Sequence, residues 1–173
     1  MQRVPERIFI VGLMGAGKST VGAALASRLD REYIDNDVEL TRAQGQDAVA
    51  LAHQGPEALH EAEAAYVESL FVQAGPFVAS APASIADRLT LATALSDTGF
   101  VVYLRAHPDV LADRVVSDPE RPWLASEARA TLHAMFGKRD AVFRGTSDLE
   151  VETDSLAPDE IVDLVVWALP TVI

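Results

Sequence analysis

Cysteine is absent from this chain, which excludes a disulfide framework, a thiolate metal site and a cysteine nucleophile, and nothing points to an oxidising compartment. Long apolar runs are missing too, since no stretch approaches the roughly 20 residues that a membrane span needs. Basic charge is scarce: 14 Lys and Arg stand against 26 Asp and Glu, a net charge of -12 that repels polyanions wherever basic groups do not converge. Nucleic acid is therefore not expected as the main partner. Lysine is scarcest of all, with only Lys18 and Lys138, so it does not serve here as a scattered solubilising residue. Arg3 and Arg7 precede an apolar run, and Ala24-Leu25-Ala26 imitates a signal-peptidase site. Lys18 and the glycines at 12, 15 and 17 interrupt that run, however, and a cytoplasmic location is expected.

What remains is a chain of 173 residues, 49% hydrophobic, without repeat, low-complexity tract or linker, which can bury one sizeable core and is expected to form one domain. Apolar runs at Arg7–Val11, Tyr33–Asp35, Phe77–Ala81, Phe100–Leu104 and Leu149–Glu152 predict short strands. Helical spacing fills the intervals: Lys18–Leu29, then Val38 to about Gln73 with breaks near Gly45 and Gly55-Pro56, Ala83–Leu95, Pro108–Val116, Ser126 to about Phe143, and Pro158–Leu169. Strands apolar throughout, such as Phe100-Val101-Val102-Tyr103-Leu104, belong in a parallel sheet covered on both faces. The alternation predicts a three-layer α/β domain with a five-stranded parallel sheet.

Gly12-Leu13-Met14-Gly15-Ala16-Gly17-Lys18-Ser19-Thr20 fits the Walker A pattern and lies between a predicted strand and a predicted helix, as the mechanism of that loop demands. The glycines turn successive backbone N–H groups toward one point, and the helix N-terminus adds partial positive charge where phosphate oxygens would sit. Lys18 can then reach the β and γ phosphates of a nucleotide, and Ser19 can offer its hydroxyl to Mg²⁺. Asp35-Asn36-Asp37 closes the second predicted strand, and ligands in open α/β sheets gather outside the carboxyl ends of strands. One carboxylate there can hold a magnesium-bound water, and the other can accept a proton from an attacking hydroxyl. The competing reading is a helix cap at Asp37 with both side chains solvated.

These motifs, followed in order by Arg121-Pro122-Trp123-Leu124 and Lys138-Arg139, resemble the shikimate kinase family over nearly the whole chain. The resemblance implies a P-loop kinase fold, ATP as phosphoryl donor, Mg²⁺ as cofactor, a small hydroxylated acceptor, and a monomer with neither nucleic-acid nor membrane partners. It implies that Lys18, Asp37 and Arg121 are catalytic, and that Gly12, Gly15, Ala16, Gly17, Lys18, Ser19, Thr20 and Arg114 hold the nucleotide. Ser19 and Asp35 would serve the metal. Asp37, His60, Ala81, Pro82, Ala83 and Arg139 would face the acceptor, with Arg139 on its carboxylate. Residues 117–126 would form a lid and about 38–74 an acceptor-binding helical region.

Departures from the family pattern gather on the acceptor side. His60 stands where the family has an arginine, and Ala81-Pro82-Ala83 where it has three glycines. Proline removes a backbone donor, and alanine adds a side chain where backbone should approach the ligand. Leu156-Ala157-Pro158 replaces a basic segment near the adenine, and Ala141-Val142-Phe143 a Pro-Leu-Tyr. Poor phosphorylation of shikimate is therefore expected, with another hydroxylated metabolite as the alternative acceptor. The rival outside enzymology is a nucleotide-binding regulatory protein without efficient phosphotransfer.

Overall fold

A computed structural model describes residues 4–116 and 127–170. Five parallel strands form one sheet, ordered β2 (Glu32–Ile34), β3 (Phe77–Ser80), β1 (Arg7–Val11), β4 (Phe100–Arg105) and β5 (Leu149–Glu152). The two strands flanking β1 are apolar over most of their length for one reason: helices cover both faces of the sheet. Ile8, Phe9 and Ile10 of β1 are wholly inaccessible to solvent, in register with Val78, Ala79 and Ser80 on one side and with Phe100, Val101 and Val102 on the other. The edge strands are short and more polar, as suits solvated edges. On β5, Glu150 and Glu152 reach Arg105, which also pairs with Asp140 at 2.7 Å.

Helix α1 (Lys18–Arg28) packs on β1 and β3 and against α8 (Pro158–Ala168). The other layer holds α5 (Leu89–Thr98), α6 (Pro108–Val116) and α7 (Ala128–Thr146), with α5 and α7 against β4. Between β2 and β3 lie α2 (Asn36–Gln44), α3 (Ala48–His53) and α4 (Pro56–Val72). Gly45, at φ 68°, and Gly55, at φ 128°, separate them at the two predicted breaks. Leu40, Leu51 and Ala62 form a small apolar core of their own beneath these helices, with Ala48 and Leu59 packed against it.

Two expectations needed correction. The second strand was expected at Tyr33–Asp35 but ends at Ile34, because Asp35 turns out of the sheet to cap α2 and accepts from the backbone N–H groups of Asp37 at 2.9 Å and Val38 at 3.3 Å. The continuous helix expected over Ala83–Leu95 is instead a 3₁₀ turn, Ala83–Asp87, followed by α5, with a break at Arg88. Side-chain anchors explain the break. Ser84 donates to Glu63 on α4, and Asp87 pairs with Lys138 and Arg139 on α7, which ties the turn to two helices at once.

Gly99 joins α5 to β4 where backbone segments nearly touch. A Cβ there would lie 2.6 Å from the Phe9 ring, 2.7 Å from the Arg7 carbonyl oxygen and 2.9 Å from the Arg7 Cβ. Because a central strand supplies these contacts, neither side can retreat cheaply. Gly99→Ala is expected to lower unfolding free energy by about 1 to 3 kcal/mol, read as a lower urea midpoint at unchanged m-value.

Candidate active site

The loop from Gly12 to Gly17 leaves β1 at the carboxyl edge of the sheet and enters α1. Gly12 takes φ 150° and lies so close to β4 that a Cβ would meet the Leu104 carbonyl oxygen at 2.6 Å, so no other residue fits without moving the loop. Gly17 caps α1 in the left-handed region without any side-chain hydrogen bond, a geometry that presents the first helical amides to a ligand. Lys18 arches back over the turn, its Nζ donating to the Gly12 carbonyl at 2.9 Å and the Leu13 carbonyl at 3.2 Å. A single ammonium thus sits where phosphate charge would accumulate.

Across the cleft, Asp35 faces this loop. Burial pushes its carboxyl up, but hydrogen bonds from the Ser19 and Tyr33 hydroxyls and from the α2 backbone outweigh burial and hold it below the usual carboxylate range. The Tyr33 hydroxyl donates to Asp35 Oδ2 at 3.0 Å, and burial pushes that phenol up to about 12, so it stays a donor. A hydroxyl and an ionised carboxylate in mutual contact form a hard-oxygen pair suited to Mg²⁺, which takes few protein ligands and completes its shell with phosphate and water. Asp37 is the second residue of α2, exposed and not capping it, and receives a hydrogen bond from Asn36 Nδ2 at 3.1 Å. The cap is Asp35.

These groups border one cleft of about 1090 Å³. Gly15, Gly17, Lys18, Ser19, Thr20 and Arg114 line the end beside the glycine loop. Asp37, Asp47, Leu59, Glu63, Pro82 and Ala83 line the other. Gly12 and Ala16 are buried and shape the loop from behind. Ala81 is wholly buried, and its N–H donates to the Ile10 carbonyl at 2.9 Å, extending the sheet ladder beyond β3. His60 is half-buried on α4, close enough to lower the Glu63 pKa. Burial is the larger influence on Glu63 and raises its pKa overall. Arg139 is buried and forks onto Asp87, with Nη2 at 2.6 Å and Nε at 3.4 Å. Arg121 and the expected lid lie outside the described residues.

Several residues of the site escaped sequence reasoning. Thr153, which follows β5, is buried and accepts from Arg114 Nη2 through its carbonyl at 2.6 Å, holding the guanidinium beside the Gly15 carbonyl. No local pattern marks such a residue. Tyr33 and Asn36 had a signal, since both sit within two positions of the site carboxylates. Asp87 had none, because its partners are 51 and 52 positions away.

Fold and cleft together make this molecule a P-loop phosphotransferase of the small kinase type. The family description "Shikimate kinase" matches residues 14–170. A shikimate kinase of Cupriavidus pinatubonensis is 35% identical over 171 residues, covering 98% of this chain and 88% of its own length. One of a Psychrobacter species is 33% identical over 171 residues, covering 98% and 94%. Among solved structures, shikimate kinase from Acinetobacter baumannii in complex with shikimate superposes with a TM-score of 0.87 at 26% identity, covering 95% of this chain and 92% of that one. The chain belongs to the shikimate kinase family.

Proposed function

We propose that the protein transfers the γ-phosphoryl group of ATP to a hydroxyl group of shikimate or a related small polyol. One observation carries this reading: in a chain of this family, Lys18, Ser19 and Asp35 gather at one end of a cleft whose other end begins at Asp37. The amides of the Gly12–Gly17 loop and Lys18 hold the β and γ phosphates, Thr20 borders them, and Arg114 lies beside the nucleotide. Ser19 and Asp35 hold Mg²⁺, which when bound offsets phosphate charge. Asp37 accepts the proton of the acceptor hydroxyl as its oxygen bonds to the γ phosphorus and the bond to ADP breaks. Pro82, Ala83 and His60 shape the acceptor end, and Arg121 supplies positive charge to the transferred group.

No helix among the described residues is long and apolar enough to cross a membrane, and the reading takes the enzyme as a cytoplasmic monomer acting on small molecules. The test is Mg²⁺-dependent release of ADP from ATP across a panel of hydroxylated metabolites, shikimate included. Acceptor-stimulated ADP release is expected. Tight ATP binding with no stimulation by any acceptor would leave a nucleotide-binding regulatory protein as the better account.

A further inference from the structure

A general base must hold one direction, and Asp37 is poorly placed to do so unaided. It is exposed at the second position of α2, where a carboxylate samples several staggered positions unless something holds it. Like charge surrounds it as well: Asp35 stands two residues back, and burial raises the Glu63 pKa with the Asp37 charge adding to the rise. The backbone beneath it is fixed. The Asn36 N–H donates to Ser80 Oγ on β3 at 3.1 Å, and both residues are buried. The Tyr66 hydroxyl donates to the Ser80 carbonyl at 2.8 Å and lies 3.4 Å from the Ile34 carbonyl oxygen, so one phenol bridges the ends of β3 and β2. The Asp37 N–H is held in turn by Asp35 Oδ1. This anchoring leaves the direction of the Asp37 carboxylate open, and the Asn36 side chain addresses it: Nδ2 donates to Asp37 Oδ1 at 3.1 Å, a charge-assisted bond from a residue only 7% exposed.

Asn36 is a costly residue where it stands. Its Oδ1 is fully buried and has no donor among the described residues, a loss that folded chains ordinarily avoid. Turning the amide over would not relieve it, because an oxygen would then face the Asp37 carboxylate. Neither helix nor core calls for the residue. Asp35 caps α2, and an apolar side chain of similar size would fill the same space without burying an orphan acceptor. Departures from such local rules collect at functional sites, and the partner that this amide nitrogen gains is the base.

We propose that Asn36 is a positioning residue for phosphoryl transfer: its buried amide holds the Asp37 carboxylate toward the acceptor hydroxyl, and the orphaned oxygen is tolerated for the sake of that hold. This rests on the kinase reading above, with Asp37 as proton acceptor. The test is Asn36→Leu, near in size and unable to donate, made both in the wild type and in Asp37→Asn, with shikimate or whichever hydroxylated metabolite of the panel gives the higher turnover. In the wild-type background kcat is expected to fall about 10 to 10²-fold, the effect of a slightly misplaced reacting group, while KM for ATP and calorimetric ATP affinity stay within about twofold. The urea midpoint is expected to hold or rise, where loss of a merely structural residue would lower it. In Asp37→Asn the same substitution is expected to change kcat by less than about twofold, because Asn36 acts through Asp37. An unchanged kcat in a folded, ATP-binding Asn36→Leu would overturn the proposal, and so would an equal loss in both backgrounds. Asn36→Ala, which removes the same donor with less bulk, carries the same expectations if the leucine variant does not fold. Failure of both to fold would make Asn36 a structural residue and overturn the proposal as well. If the wild type shows acceptor-stimulated ADP release and the variants match it, the kinase reading stands and this inference alone is lost. If no acceptor stimulates the wild type, the kinase reading falls and carries this inference with it.

Discussion

Replacing Lys18 by Ala is expected to lower kcat by about 10² to 10³-fold, the effect of removing one preorganised charge partner from a transition state. ATP affinity should fall as well, since hydrogen bonds to charged groups contribute roughly 1.5 to 3 kcal/mol each. The structure explains why nothing can substitute. Lys18 is already folded over the loop onto the Gly12 and Leu13 carbonyls, so its ammonium is in place before ligand arrives. The other lysine, Lys138, is committed to Asp87. Titration calorimetry with ATP alongside steady-state turnover checks the pair of effects. A purified mutant that keeps both ATP affinity and turnover would remove Lys18 from the phosphate site.

Asp37→Asn should separate the two functions that Lys18→Ala abolishes together. Turnover is expected to fall by about 10² to 10⁴-fold, the range for loss of a positioned general base, while ATP binding stays close to that of the wild type. The cap of α2 is Asp35, so changing Asp37 leaves the helix start intact and the comparison is not confounded by unfolding. Turnover that survives the substitution would place the proton acceptor elsewhere, and Glu63, raised by burial on the same cleft, would be the next residue to test.

How far the sequence could be read depended on whether the determining contacts were local. The strands and the glycine loop were legible because burial on both faces and left-handed turns leave their mark on adjacent residues, as in Ile8-Phe9-Ile10 and Gly15-Ala16-Gly17. The five-stranded parallel sheet followed from the alternation of elements. Asp35 was legible as a site residue but not as a cap, since its position after a three-residue strand suits both roles. The break at Arg88 was hidden, because an alanine-rich stretch with helical spacing reads as helix until distant partners at Glu63, Lys138 and Arg139 pull its first turn aside. The acceptor end was only half legible for the same reason. His60 and Pro82 can be seen in the sequence, whereas the commitment of Arg139 to Asp87 exists only once α7 is packed against the turn.

The separate apolar cluster of Leu40, Leu51 and Ala62 gives the molecule a property that concerns its history more than its chemistry. The phosphate loop is anchored in the main core through β1 and α1, while α2, α3 and part of α4 share this smaller nucleus. Changes in units that share few contacts tend to add rather than compound. A lineage of such enzymes can therefore rebuild the acceptor wall by successive substitutions while the nucleotide machinery stays under unbroken selection, and new specificities lie a few tolerated steps from old ones.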